Sequence, residues 1–204
     1  RAEHFIHLRC ELPSHDVVAH FDALAYHSLT RLASVMDHTP GQRQFRSLAE
    51  YKKFYAKQMG RSPEELQAYL DARQAEHERY SAPNRKAIVA RAHELELAIA
   101  SHDDATLAHV EEAAEDGVAI SEFPTTLEAA SAAHDAGLAI LMGAPNVVRG
   151  KSHSGNISAT DLVAAGLLDI LSSDYVPFAL LQAAFLLPQR VEGLDLSQAL
   201  ATVT

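Results

Sequence analysis

From Leu97 onward the chain repeats one pattern: a short apolar run, a cluster of polar or turn residues, then an alanine-rich stretch ending in glycine. The apolar runs open LAIASHDD (97–104), VAISEFPTT (118–126), LAILMGAPN (138–146) and LLDILSSDY (167–175). The stretches ATLAHVEEAAEDG, TLEAASAAHDAG and SATDLVAAG close on Gly117, Gly137 and Gly166, where a helix places its left-handed C′ residue. The shortest repeats are about 20 residues, the least that holds a strand and a crossover helix. The apolar runs are nearly continuous rather than alternating, as strands covered on both faces require. Strand, helix and strand joined tightly predict right-handed βαβ units and a parallel sheet.

Two further strands are expected upstream. HFIHLRCEL (4–12) precedes a helical stretch with Ser14 as its N-cap, and RLASVMDHTPG (31–41) precedes helical material from Ser47 to about Met59. Ser62-Pro63-Glu64-Glu65 then reads as a capping box with proline in the first turn, opening a helix to Tyr80, and Pro83 opens another to about Glu96. Six βα units in one direction suit either a doubly wound sheet or most of a (β/α)8 barrel. No GxGxxG follows any strand, whereas nearly every strand ends in a reactive residue, which favours a barrel mouth over a single switch point. The expected fold class is therefore α/β: an incomplete (β/α)8 TIM barrel over 1–204 with extra helices at about 42–96, two strands short of eight.

Composition narrows the function. With 48% hydrophobic and 22% charged residues the chain is globular rather than disordered. A net charge of −10 is the wrong sign for non-specific nucleic-acid binding. No apolar run approaches the roughly 20 residues of a membrane span. The single cysteine, Cys10, excludes a disulfide framework or a thiolate zinc cluster and fits a reducing, cytoplasmic compartment. It reads as a small buried apolar residue with Arg9 and Glu11 on the opposite face. The chain opens on Arg1 rather than methionine, and its true start is expected to lie further upstream.

The strand ends carry the candidate chemistry. Glu11, His38, His102 with Asp103, Glu122 and Asp174 would point to one barrel mouth. Converging carboxylates and imidazoles suit one or two ions of Zn²⁺, Mn²⁺ or Fe²⁺. A lone strand-end histidine is more often a hydrogen-bonded structural residue, but five reactive ends in succession favour a metal site. The remaining histidines outside the 143–156 loop, among them His7, His77 and His109, read as surface or packing residues. Asp103 or Asp104 is expected to orient His102, with Asp104 a possible cap for the next helix. GAPNVVRGKSHSGN (143–156), expected as a long loop, gathers Arg149, Lys151, Ser152, His153 and Asn156 among glycines, a locally basic set suited to phosphate. Ser158 and Asp161 would cap the helix after it. Arg43 adds a planar fork from the loop after the second strand. The competing reading of both loops is solvated surface.

The ordered set RCEL, MDHTPGQRQF, ASHDD, SEFPTT, GAPNVVRGKSHSGN and LLDILSSDYVP closely resembles the alpha-D-ribose 1-methylphosphonate 5-triphosphate diphosphatases of the carbon–phosphorus lyase pathway, in the amidohydrolase superfamily. The likeness runs from about His4 to Thr204. It implies a distorted (β/α)8 barrel with a divalent metal, here strands three to eight. It also implies a phosphorylated sugar phosphonate substrate that loses pyrophosphate and keeps a 5-phosphate. By the superfamily pattern, Glu11 would be a metal or bridging ligand and His102 a ligand, while Asp174 would bind metal and accept the water's proton. Three departures stand out. No two histidines lie two apart, so the strand-one HxH pair is absent; Glu122 replaces the strand-six histidine; and Lys151 interrupts a GGSHSGN pattern. His38 is therefore taken as a ligand and Glu122 as a weaker one. A homodimer is compatible with all of this. Two rivals remain: a C–N hydrolase of the same superfamily, or an inert fragment or scaffold component of a phosphonate-degrading assembly.

Overall fold

The computed structural model describes residues 3–43, 62–150 and 156–203. They form two compact units, one over Arg1–His102 and one over Asp103–Thr204. The first contains β1 (Ile6–Glu11), α1 (Val17–Ala25), β2 (Thr30–Met36), α2 (Pro63–Glu94) and β3 (Ala98–His102). The second contains α3 (Leu107–Glu115), β4 (Ile120–Glu122), α4 (Leu127–Asp135), β5 (Ala139–Gly143), α5 (Ala144–Arg149), α6 (Ala159–Ala164), β6 (Ile170–Ser172), α7 (Ala179–Arg190) and α8 (Leu196–Ala201). Within each unit the three strands are parallel and neighbour one another in chain order, so the six expected βα units are present.

Burial explains the strand patterns. Residues Ala33–Met36 of β2, Ile99–His102 of β3 and Ile140–Gly143 of β5 are buried without a break, as strands covered on both faces must be. β1 instead alternates, with Leu8 and Cys10 buried between more exposed neighbours. The expected helix stops are confirmed: Gly117, Gly137 and Gly166 take φ of 67°, 84° and 70°. The helices of the second unit start where a side-chain oxygen caps them. Thr106, Thr126 and Ser158 accept from the backbone N–H of His109, Ala129 and Asp161 respectively. Ser158 also donates to the Asp161 carboxylate at 2.6 Å, so the pair expected to cap α6 does so.

Several local expectations need correction. Ser14 is not the N-cap of α1; its hydroxyl donates to Asp16 at 2.6 Å, and Asp16 takes the cap position. Asp104 does not cap α3, because its carboxylate is occupied by the Ser121 hydroxyl at 3.1 Å and Thr106 stands at the cap instead. The two helices expected on either side of Pro83 are one continuous helix, α2, opened by the predicted Ser62/Glu65 capping box. Proline removes one helical hydrogen bond and ordinarily kinks or ends a helix. Here tertiary anchors flank it: the Ser81 hydroxyl donates to Asp37 at 2.8 Å, and Asn84 Nδ2 donates to the carbonyls of Leu12 and Ser14, both at 2.8 Å. The loop expected over 143–156 begins with a helix, α5. Pro145 suits its first turn, Gly150 ends it at φ 76°, and the Arg190 guanidinium reaches the carbonyls of Val147 and Val148. The helical stretch expected from Ser47 to Met59 lies outside the described residues.

Small side chains set how closely the helices of the second unit pack. Ala113 on α3 and Ala129, Ala130 and Ala133 on α4 are wholly buried. Replacing Ala133 by leucine should therefore overpack the unit and cost about 1–3 kcal/mol. The same change at exposed Ala136 should be nearly neutral. Denaturant midpoints of the two variants check this, and equal midpoints would refute close packing at Ala133.

Candidate functional site

In the first unit, parallel register brings three candidate residues to one edge. Glu11 ends β1 opposite Met36, and Val35 of β2 pairs with Ser101, so His38 and His102 follow at the same level. Glu11 binds His38 through both carboxylate oxygens. Its Oε1 accepts the His38 backbone N–H at 2.9 Å, and its Oε2 lies 2.6 Å from His38 Nδ1. An ionised carboxylate can only accept, so the imidazole proton sits on Nδ1 and the lone pair of Nε2 faces away. This is the carboxylate–histidine arrangement that orients metal-binding imidazoles. The His38 and His102 rings meet edge to face with centroids 5.2 Å apart. Arg9 Nη2 lies 3.5 Å from His102 Nε2, a long contact that a neutral ring nitrogen accepts.

His38, His102 and Asp103, the residue next along the chain, each offer one donor atom, all within 4.8 Å of one another. Two imidazole nitrogens and a carboxylate oxygen are a donor set for a borderline divalent ion such as zinc. His102 and Asp103 are buried and His38 partly so.

Arg43 is not a solvent-facing fork. It is buried at φ 36°, and its Nη1 donates to the His102 carbonyl at 3.3 Å, tying the loop after β2 to the end of β3. Behind it, Asp37 anchors the same loop to α2. Its Oδ2 receives His77 Nδ1 at 2.6 Å and the Ser81 hydroxyl at 2.8 Å, while Oδ1 accepts the Thr39 N–H at 3.0 Å. Burial pushes the Asp37 carboxyl up, but the bonds from Thr39, His77 and Ser81 outweigh it and hold it below its ordinary value. His77, expected to be a surface or packing residue, thus holds the residue preceding His38. A histidine 40 positions away carries no local signal of that role.

In the second unit, Glu122 is buried at the end of β4, one strand from Gly143 at the end of β5. Asp174 follows β6 at φ 49° and is exposed. A Cβ placed on Gly143 would meet Asp174 Oδ2 at 3.3 Å and Phe123 Cε1 at 3.4 Å, so the three residues are packed together. Arg149, at the end of α5, donates to the Tyr175 hydroxyl and lies over its ring, 5.7 Å from the centroid. Asn156 is half-buried next to α6, whose first residue, Ala159, donates to Asn146 Oδ1 at 2.9 Å. Lys151, Ser152 and His153 lie outside the described residues. Asn146, Tyr175 and Gly143 escaped the sequence reading because none belongs to a ligand-like pattern.

Comparison with known proteins gives the arrangement its context. No family model and no solved structure matches the chain. The alpha-D-ribose 1-methylphosphonate 5-triphosphate diphosphatase of Escherichia coli (strain K12) is 50% identical over 185 residues, which is 91% of this chain and 49% of that protein. The chain spans about half the length of the relative it matches. The resemblance read from the motifs is thereby confirmed along nearly the whole chain. No helix among the described residues is long and apolar enough to cross a membrane.

Two outcomes test the site's supports. Asp37→Asn leaves His77 and Ser81 facing a neutral amide and should cost about 1–3 kcal/mol at neutral pH. A carboxyl held low in the folded state contributes stability above its unfolded value of about 4, and that contribution fades as pH falls through the folded value. The deficit of Asp37→Asn should therefore shrink below about pH 4, and urea melts across pH check it. Separately, burial pushes the Cys10 thiol up to about 12. Iodoacetamide at about pH 8 should leave Cys10 of the native protein unlabelled and label the unfolded chain. Rapid labelling of native protein would show an accessible thiolate.

Proposed function

We propose that this protein hydrolyses the phosphoanhydride of alpha-D-ribose 1-methylphosphonate 5-triphosphate, releasing pyrophosphate and leaving the 5-phosphate, as a step of phosphonate catabolism. The observation that carries this reading is the 50% identity to the diphosphatase over 91% of the chain. The βα units are read as strands three to eight of a single barrel domain of the amidohydrolase type. The donor chemistry of the first unit supports a divalent metal.

His38 and His102 are assigned as its ligands, and Glu11 orients His38 while taking the ligand role implied for its strand end. These residues would hold an ion of Zn²⁺, Mn²⁺ or Fe²⁺, which when bound would supply an acidified water and Lewis-acid polarisation of the phosphoryl group. Asp174 contributes to ion binding and accepts the proton of that water. Arg149, Lys151, Ser152, His153 and Asn156 bind the triphosphate oxygens, with charge-assisted donors holding the departing pyrophosphate. Arg43 acts in substrate binding through the strand-end loop it fixes.

Pyrophosphate release by the full-length protein tests the reading. A chelator should abolish it and added divalent metal restore it. Asp174→Asn should lower kcat by about 10²–10⁴-fold, the usual contribution of a positioned base. Full activity in that variant would remove Asp174 from the role. Turnover of cyclic amides with none of triphosphates would favour C–N chemistry instead.

A further inference from the structure

Gly143 ends β5 with φ −78° and ψ 126°, a conformation open to any residue, so the backbone does not require glycine there. Space does. A Cβ at this position would stand 3.3 Å from Asp174 Oδ2, 3.5 Å from Asp174 Cβ and 3.4 Å from Phe123 Cε1. Two of these approaches are to one carboxylate side chain. The walls of the slot are themselves conformationally costly: Phe123 has φ 56° and Asp174 φ 49°. For residues other than glycine or asparagine, such backbone persists only where the surroundings hold it, at a cost of order 1–3 kcal/mol each. Phe123 is fixed by its backbone N–H, which donates to the Leu141 carbonyl at 2.8 Å. β5 therefore carries both the glycine and the bond that sets the phenylalanine.

We infer that Gly143, with Phe123 beside it, is a positioning residue that lets the Asp174 carboxylate lie against the end of β5 and fixes its direction. The inference rests on Asp174 being the proton acceptor of the proposed hydrolysis. An added methyl group would stand tighter than ordinary contact against the carboxylate oxygen, so the carboxylate would give by a few tenths of an ångström and turn from its direction. That is a fraction of the roughly 1 Å misplacement that costs about a hundredfold in rate.

The test is Gly143→Ala in the full-length protein, alone and combined with Asp174→Asn, assayed by pyrophosphate release. The single variant should lose roughly threefold to tenfold in kcat with KM nearly unchanged and its melting temperature close to that of the parent. In the Asp174→Asn background Gly143→Ala should cost little more, since both act through one carboxylate. A crystal structure of Gly143→Ala should show the Asp174 carboxylate displaced from the end of β5. Unchanged kcat in Gly143→Ala, while Asp174→Asn is crippled, would overturn the positioning role and leave the proposed function standing. An undisplaced carboxylate in that crystal structure would overturn it equally. Wild-type kcat in Asp174→Asn would instead overturn the assignment of Asp174, and the inference with it.

Discussion

Parallel pairing of consecutive strands is the constraint from which the rest follows. A parallel neighbour can be reached only by returning the chain along the sheet, so each connection carries a helix and the strands of a unit all end at the same edge. Register then decides what meets there. In the first unit, Glu11 opposite Met36 and Val35 opposite Ser101 leave a carboxylate and two imidazoles at one level. In the second, Glu122, Gly143 and Ser172 end neighbouring strands. Chemistry gathers at those edges because loops there are free to vary while the strands beneath are held by continuous burial.

The edges are also where backbone is held in costly conformations. Asp103, Phe123 and Asp174, all in the second unit, follow strands β3, β4 and β6 by one or two residues and have φ of 56°, 56° and 49°. Hydrogen bonds from deeper in the unit hold two of them. The Asp103 N–H donates to the Glu122 carbonyl at 2.9 Å, and the Phe123 N–H to the Leu141 carbonyl at 2.8 Å. In the first unit the comparable device is polar: Asp37 ties the loop bearing His38 to α2, and Glu11 holds the His38 backbone through Oε1 and its ring through Oε2. Conformation at both edges thus depends on bonds from neighbouring elements.

Much of this was legible in the residue pattern. The glycine-terminated repeats located the strands and helices, and the polar residue closing each apolar run located the edge. What failed was local: Pro83 does not break α2, and Ser14 does not cap α1. Around Pro83 the local signal was overridden by bonds to distant chain, those of Asn84 to the carbonyls of Leu12 and Ser14, whereas the Ser14 hydroxyl was drawn to its near neighbour Asp16.

The sequence by itself determined the order of the strands, the both-sides burial of the inner ones, and which residues lie at the strand ends. These follow from periodicity and punctuation, which are properties of neighbours along the chain. Only the tertiary structure decided that Glu11 spends both oxygens on His38, that His77 supports Asp37, and that Asp174 lies against Gly143. Those contacts join residues 27 to 40 positions apart in the hydrogen-bonded pairs, across elements whose register no local signal encodes. Distance along the chain hides such pairs, and packing reveals them.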